Sequence, residues 1–165
     1  MVSFVIRPIA HQIDEMAARI HAVQIAAYQQ EATLLGVREF PPLDRRVEDV
    51  KASSDAFFGA FDGDELLGVI TLEQQSANEV VISSLTVVPS FQRRGVARAL
   101  IVTAAGQTAC AKISVSTGAK NRPALALYKQ LGFVECRHKY VGPEQLHRRV
   151  FARLHAAQRG AGEDR

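Results

Sequence analysis

The most constraining stretch of this sequence runs from Val80 to Val141, because strand and helix periods alternate along it. Val80 to Val88 is rich in β-branched residues and stops at Pro89, which reads as a strand. Gly95 to Thr108 carries Ala, Leu and Val positions at helical spacing, and Lys112 to Ser116 reads as a second strand. Pro123 to Leu131 is helical, opened by a proline in its first turn and closed by Gly132. Phe133 to Val141 follows as a third strand. This order implies right-handed crossovers and a sheet that is at least partly parallel.

The flanks fill in the same architecture. Residues 3–7 read as a short first strand closed by Pro8. From His11 to Leu35, Ile13, Met16, Ala17, Ile20, Val23, Ile25, Ala27 and Leu34 recur at helical spacing, predicting one or two amphipathic helices that end at Gly36. A short helix is expected within 43–54. Ala56–Phe61 and Leu66–Leu72 read as strands joined at Asp62-Gly63-Asp64, and Leu146–Leu154 reads as the last strand. With 165 residues and no linker or repeat, the chain is expected to form one α/β domain over 1–155, with a C-terminal tail at 156–165. That domain has a mixed central sheet of six to seven strands flanked by helices.

Net charge is only +3, but its distribution is uneven. Residues 1–79 hold 13 acids and 6 bases, whereas residues 80–134 hold 7 bases and no acid. Such asymmetry speaks about partners, not fold, and places an anion site in the central window. The surplus is too small for a clamp on long nucleic acid, and aromatic residues beside the arginines are few. No apolar run reaches the ~18 residues of a membrane helix, and the first residues lack the pattern of a secretory signal. Cys110 and Cys136 have no metal or disulfide spacing, and His138, His147 and His155 are not spaced as metal ligands. The expectation is a cytoplasmic protein without a metal, acting on neither nucleic acid nor membrane.

Within the acid-free window, Val87-Val88-Pro89-Ser90-Phe91-Gln92-Arg93-Arg94-Gly95-Val96-Ala97 runs from strand through polar turn into helix. Glycine admits close backbone approach, and the N–H groups at a helix start favour an anion. Arg93, Arg94 and Arg98 add cationic donors. By itself this pattern also suits a solvated turn with surface arginines. Asn121 stands where an N-cap is wanted, ahead of a helix in which Ala124, Leu127 and Leu131 should face the core, with Tyr128 one step from that stripe. From its position alone, Tyr128 reads as a core-flanking side chain.

Together these segments resemble the GCN5-related N-acetyltransferase (GNAT) superfamily. Its [QR]xxGx[GA] hallmark stands here as Gln92, Gly95 and Ala97. Its second hallmark stands as Asn121, Tyr128 and Leu131-Gly132-Phe133. The resemblance spans residues 3–154 and implies a GNAT-like acyl-CoA N-acyltransferase fold. It implies acetyl transfer from acetyl-CoA to a primary amine of a small molecule or peptide, by direct attack through a tetrahedral intermediate. Backbone N–H groups from Arg93 through Val96 to Ala97 would cradle the pyrophosphate, with Gln92, Arg94 and Arg98 beside it. The pantetheine arm would lie along Val87-Val88, where two parallel strands splay and a bulge near Leu85–Val87 re-aims the backbone. The N–H of Val87 would face the developing oxyanion. Asn121 would bind pantetheine, and Tyr128 would protonate the departing thiolate.

For the base, the resemblance directs attention to the strand before the signature. The matching region holds Val81 and Ser83, not an acid. Glu79, two residues before Val81 on the same face, could act through a water, with Glu31 and Glu39 as rivals. The acceptor would meet Tyr28 and Glu31 from the first helical region and Tyr140 from the segment before Glu144. Similar proteins often dimerise through their final strands, so a homodimer is compatible. Three alternatives stay open: another acyl-CoA or a hydroxyl acceptor, a non-catalytic acyl-CoA-binding module, and a nucleic-acid binder.

Overall fold

The computed structural model describes residues 3–154, so the expected tail at 156–165, and His155, lie outside it. A first strand β1 (Val5–Pro8) leads into one unbroken helix, α1 (Asp14–Leu35), where sequence spacing allowed two. Its continuity follows from the unbroken buried stripe Ala17, Ile20, Val23, Gln24, Ala27, Tyr28, Ala32 and Leu35. Asp14 and Glu15 favour its N-terminus, and Gly36 closes it by donating to the Ala32 and Thr33 carbonyls. Ile13 and Leu34, expected on the apolar stripe, stay exposed.

A turn of tight helix (Pro41–Asp44) precedes α2 (Val47–Ala52). The meander β2 (Ala56–Asp62), β3 (Glu65–Gln74) and β4 (Glu79–Val87) follows. After a short tight turn at Pro89–Phe91 come α3 (Val96–Gln107), β5 (Lys112–Gly118), α4 (Arg122–Gln130), β6 (Val134–Val141) and β7 (Leu146–Leu154). The seven strands form one mixed sheet in the order β1-β2-β3-β4-β5-β7-β6. Its parallel contact is β4 against β5; β7 inserts antiparallel between β5 and β6.

Helices cover both faces, as a sheet buried on both sides requires. One apolar cluster joins Val96, Leu100, Ile101 and Ala104 of α3 and Leu125 and Tyr128 of α4 to Leu67, Ile70, Val115 and Phe151 of the sheet. A second joins Ala17, Ile20 and Val23 of α1 and Val50 of α2 to Phe57, Phe61 and Val69. α1 packs tightly on the sheet at Gly118, where a Cβ would stand 2.5 Å from the Leu35 side chain. A larger residue there requires the Leu35 side chain to shift.

Two local expectations need correction. The bulge in β4 falls at Ser83, not at Leu85–Val87: Thr71 pairs with Ser84 and Leu72 with Ile82, leaving Ser83 as the extra residue. Side-chain bonds hold it in place. Its hydroxyl donates to Asp55 Oδ2 at 2.7 Å and lies 2.7 Å from Thr71 Oγ1. On α4 the buried residues are Leu125 and Tyr128, while Ala124, Leu127 and Leu131 are only partly covered. The rings of Phe133 and Phe151, 6.0 and 5.9 Å from Tyr128, draw the tyrosine to the core.

Candidate active site

The site begins where β4 and β5 part. Their register runs from Glu79–Lys112 to Ile82–Val115 and stops at the Ser83 bulge, after which β5 continues to pair with β7 alone. A cavity of about 800 Å³ occupies the gap, lined by residues 82–87 of β4, 115–117 of β5 and the facing ends of α1, α3 and α4.

Backbone polarity in the gap follows from strand alternation. Val88 N–H donates to Leu67 O at 2.8 Å, which makes Gly68–Val87 a non-hydrogen-bonded pair. The N–H of Val87 therefore points away from β3 and toward the gap, and Leu85, two residues earlier, is oriented alike. The Val87 carbonyl accepts from Gln92 Nε2 at 3.3 Å, and the same Gln92 nitrogen reaches Gln30 Oε1 at 2.5 Å. Gln92 thus braces the turn against both β4 and α1.

The turn itself is left-handed at Arg93 (φ 62°) and Gly95 (φ 84°). Glycine occupies the second of these without strain, and a Cβ there would meet no protein atom within 4 Å, so its open side belongs to the cleft. Among the described residues, no backbone carbonyl accepts from the N–H groups of Arg93 to Ala97. They are a set of free donors at the positive end of α3. Arg93 and Arg98 line the cavity with them, and Arg98 Nη2 is held by Gln130 Oε1 at 2.6 Å.

On α4, Asn121 Oδ1 caps the helix by accepting Ala124 N–H at 3.3 Å. Tyr128 is buried, yet its hydroxyl has no protein hydrogen bond among the described residues. Burial, with the Glu31 carboxylate nearby, pushes that phenol well above its ordinary range.

From the opposite face, α1 sends Tyr28 and Glu31 into the same cavity. The Tyr28 hydroxyl lies 2.5 Å from Ser84 Oγ, and burial raises its pKa as well. Glu31 is the one carboxylate among the described lining residues. Burial holds its pKa above the ordinary carboxylate range, against the opposing pull of Arg148 and a hydrogen bond with Asn121. Arg148 of β7 lines the cavity too, its Nη2 donating to the Ser116 carbonyl at 3.0 Å.

Thus Tyr28, Glu31, Val87, Gln92, Arg93, Gly95, Val96, Ala97, Arg98, Asn121 and Tyr128 converge on one cavity. Four expected residues do not join them. Glu79 sits at the paired end of β4, where its carboxylate accepts the Ser114 hydroxyl at 2.9 Å. Tyr140 is 61% exposed and stacks on His147 at 5.0 Å, on the outer strand pair. Val88 packs into the α1-side core, and Arg94 lies 5.7 Å over the Phe91 ring. The loop after Tyr140 reaches the segment that follows α1: Glu144 Oε1 accepts the N–H groups of Arg38 and Glu39 at 2.8 and 2.7 Å. Ser84 and Arg148 were not singled out from sequence. Arg148 had a signal, since Leu146, Arg148 and Val150 share a strand face by period two.

Among the described residues no group of three or more His, Cys, Asp and Glu is placed to hold a metal ion. None of their helices is long and apolar enough to cross a membrane.

Comparison with known proteins agrees with this fold. The chain belongs to the acetyltransferase (GNAT) family, which it matches over residues 19–133. It is 37% identical over 124 residues to the UPF0157 protein YqkA of Bacillus subtilis, covering 74% of this chain and 36% of that one. The chain therefore spans about a third of the length of the curated relative it matches. Its fold resembles the ribosomal-protein-S18-alanine N-acetyltransferase of Escherichia coli (TM-score 0.72, 16% identity, 93% and 94% of the two chains covered). It also resembles smu.2055 of Streptococcus mutans (TM-score 0.74, 15% identity, 91% and 98% covered). These likenesses establish the GNAT fold, with its mixed seven-stranded sheet and four helices.

Proposed function

We propose that the chain is an acetyl-CoA-dependent N-acetyltransferase acting on the primary amine of a small molecule or peptide. The observation that carries this reading is a convergence in the β4/β5 gap. There, free backbone donors at the start of α3 share one cavity with the inward N–H of Val87, the Tyr128 hydroxyl and the Glu31 carboxylate.

Acetyl-CoA supplies the acetyl group as an activated thioester. The donor set suits it: the N–H groups of Arg93 to Ala97 would hold the pyrophosphate, and Arg93 and Arg98 would balance its charge. The unpaired edges of β4 and β5 offer backbone partners to an extended amide-bearing arm, with Asn121 beside it. Val87 N–H would donate to the carbonyl oxygen as charge develops there. Tyr128, kept protonated by burial, would deliver its proton to the departing sulfur.

The amine must attack in its neutral form. Glu31 would take the proton, directly or through a water, because it is the carboxylate in reach and its raised pKa favours accepting one. Glu79, bonded to Ser114 outside the cavity, is not assigned this role. The test is an acceptor screen with acetyl-CoA and pooled amines and peptides, read by mass spectrometry. An N-acetylated amine formed in equal amount with free coenzyme A is expected; acylation of hydroxyls alone, or no product, would overturn the assignment.

A further inference from the structure

The acceptor side of the cavity holds two opposite charges that do not pair. Glu31 enters from α1 and Arg148 from β7. Arg148 is close enough to pull on the Glu31 carboxylate, yet the two form no ion pair. Both belong to the α1 face of the sheet. A Cβ on Gly118 would point at Leu35 of α1, and Arg148 is the register partner of Gly118, so its side chain leaves the sheet on that face. The other lining cations, Arg93 and Arg98, sit at the α3 end with the free N–H donors.

Arg148 is also held in place rather than left to solvent. Its Nη2 is bound by the Ser116 carbonyl at 3.0 Å and hydroxyl at 3.3 Å. Among the described residues its Nε and Nη1 have no hydrogen-bond partner. A guanidinium anchored by one nitrogen, on a residue that lines the cavity and keeps its other donors unpaired, matches a carboxylate. Leaving a half-buried carboxylate and guanidinium apart forgoes their mutual attraction, a cost that a ligand bearing both opposite groups would recover.

We propose that Arg148 binds a carboxylate of the acceptor, making the acceptor a free amino acid. The inference rests on the acetyl-transfer reading for the direction of the amine, which lies toward Glu31 while the carboxylate lies on Arg148. Acceptors without the carboxylate, such as polyamines and peptide N-termini, leave the guanidinium unpaired and are disfavoured.

The experiment measures binding to the coenzyme A-saturated protein by calorimetry. The probes are the common L-amino acids, their carboxamides and the corresponding decarboxylated amines. At least one amino acid should bind about 100-fold more tightly than its carboxamide and its amine. Arg148→Gln should abolish that preference, Arg148→Lys should retain part of it, and both should keep the parent's affinity for coenzyme A as a check on folding. Carboxamides or amines binding as well as the acids, no amino acid binding at all, or Arg148→Gln preserving the preference would each overturn the proposal. Thiol release from acetyl-CoA is scored separately. Arg148-dependent amino-acid binding without release contradicts the transferase reading and leaves the carboxylate anchor supported.

Discussion

The Tyr28 hydroxyl lies 2.5 Å from Ser84 Oγ, tying the middle of α1 to β4 one residue beyond the bulge that opens the sheet. Both groups are largely buried at the wall of the cavity, so the bond between them replaces most of their access to solvent. The bond fixes the distance between the wall that carries Glu31 and the strand that carries Val87. Tyr28→Phe orphans the Ser84 hydroxyl and should cost about 1–3 kcal/mol of stability by urea denaturation. Tyr28→Phe combined with Ser84→Ala removes both partners and should recover part of that loss. A double variant as unstable as the two single losses added together would show that the groups do not interact.

Glu31 should set the acidic limb of the pH–rate profile. Its folded pKa is raised by burial, so the carboxylate becomes available as a base only as pH rises through a range above that of an ordinary glutamate. Glu31→Gln should lower kcat by about 10²–10⁴-fold and erase that limb. Glu79→Gln should leave the limb in place. The linkage has a definite sign: a group with a raised folded pKa contributes stability at low pH and loses it as pH rises through that value. Glu31→Gln should therefore be more stable than the parent at neutral pH, with the difference shrinking on acidification. An unchanged acidic limb in Glu31→Gln would assign the base elsewhere.

Tyr128→Phe removes a hydroxyl that no described protein group satisfies while keeping the ring between Phe133 and Phe151. Stability should change by less than about 1 kcal/mol, and acetyl-CoA affinity should change little. Turnover should fall by about 10²-fold or more, because the leaving thiolate loses its acid. Equal kcat in the two proteins would remove Tyr128 from the chemistry and return it to the core.

Much of this arrangement was legible in the chain. The seven strands and four helices follow from apolar period, prolines and glycines, and the turn of free N–H donors before α3 from Gln92, Gly95 and the missing acids. What escaped depends on contacts between distant segments. The bulge lies at Ser83 because Asp55, 28 residues away, accepts its hydroxyl, and no local pattern encodes that bond. Tyr128 lies deeper than helical spacing suggested because Phe151 arrives from the last strand. Glu79 looked well placed along its own strand, but β4 and β5 are still paired at that end and the gap opens four residues later. Glu31 and Arg148 share one cavity because α1 packs over β5 and β7 near Gly118.

The most direct test of the central claim is a calorimetric titration of acetyl-CoA into the parent, Gly95→Ala and Gly95→Glu. Gly95 holds φ 84° and opens on the cleft, so alanine brings backbone strain of about 1–2 kcal/mol, and glutamate adds bulk and negative charge at the α3 N-terminus. The account predicts one acetyl-CoA per chain in the parent, weaker binding to Gly95→Ala and none to a folded Gly95→Glu. A parent that does not bind acetyl-CoA, or a folded Gly95→Glu that binds it with unchanged affinity, would contradict it.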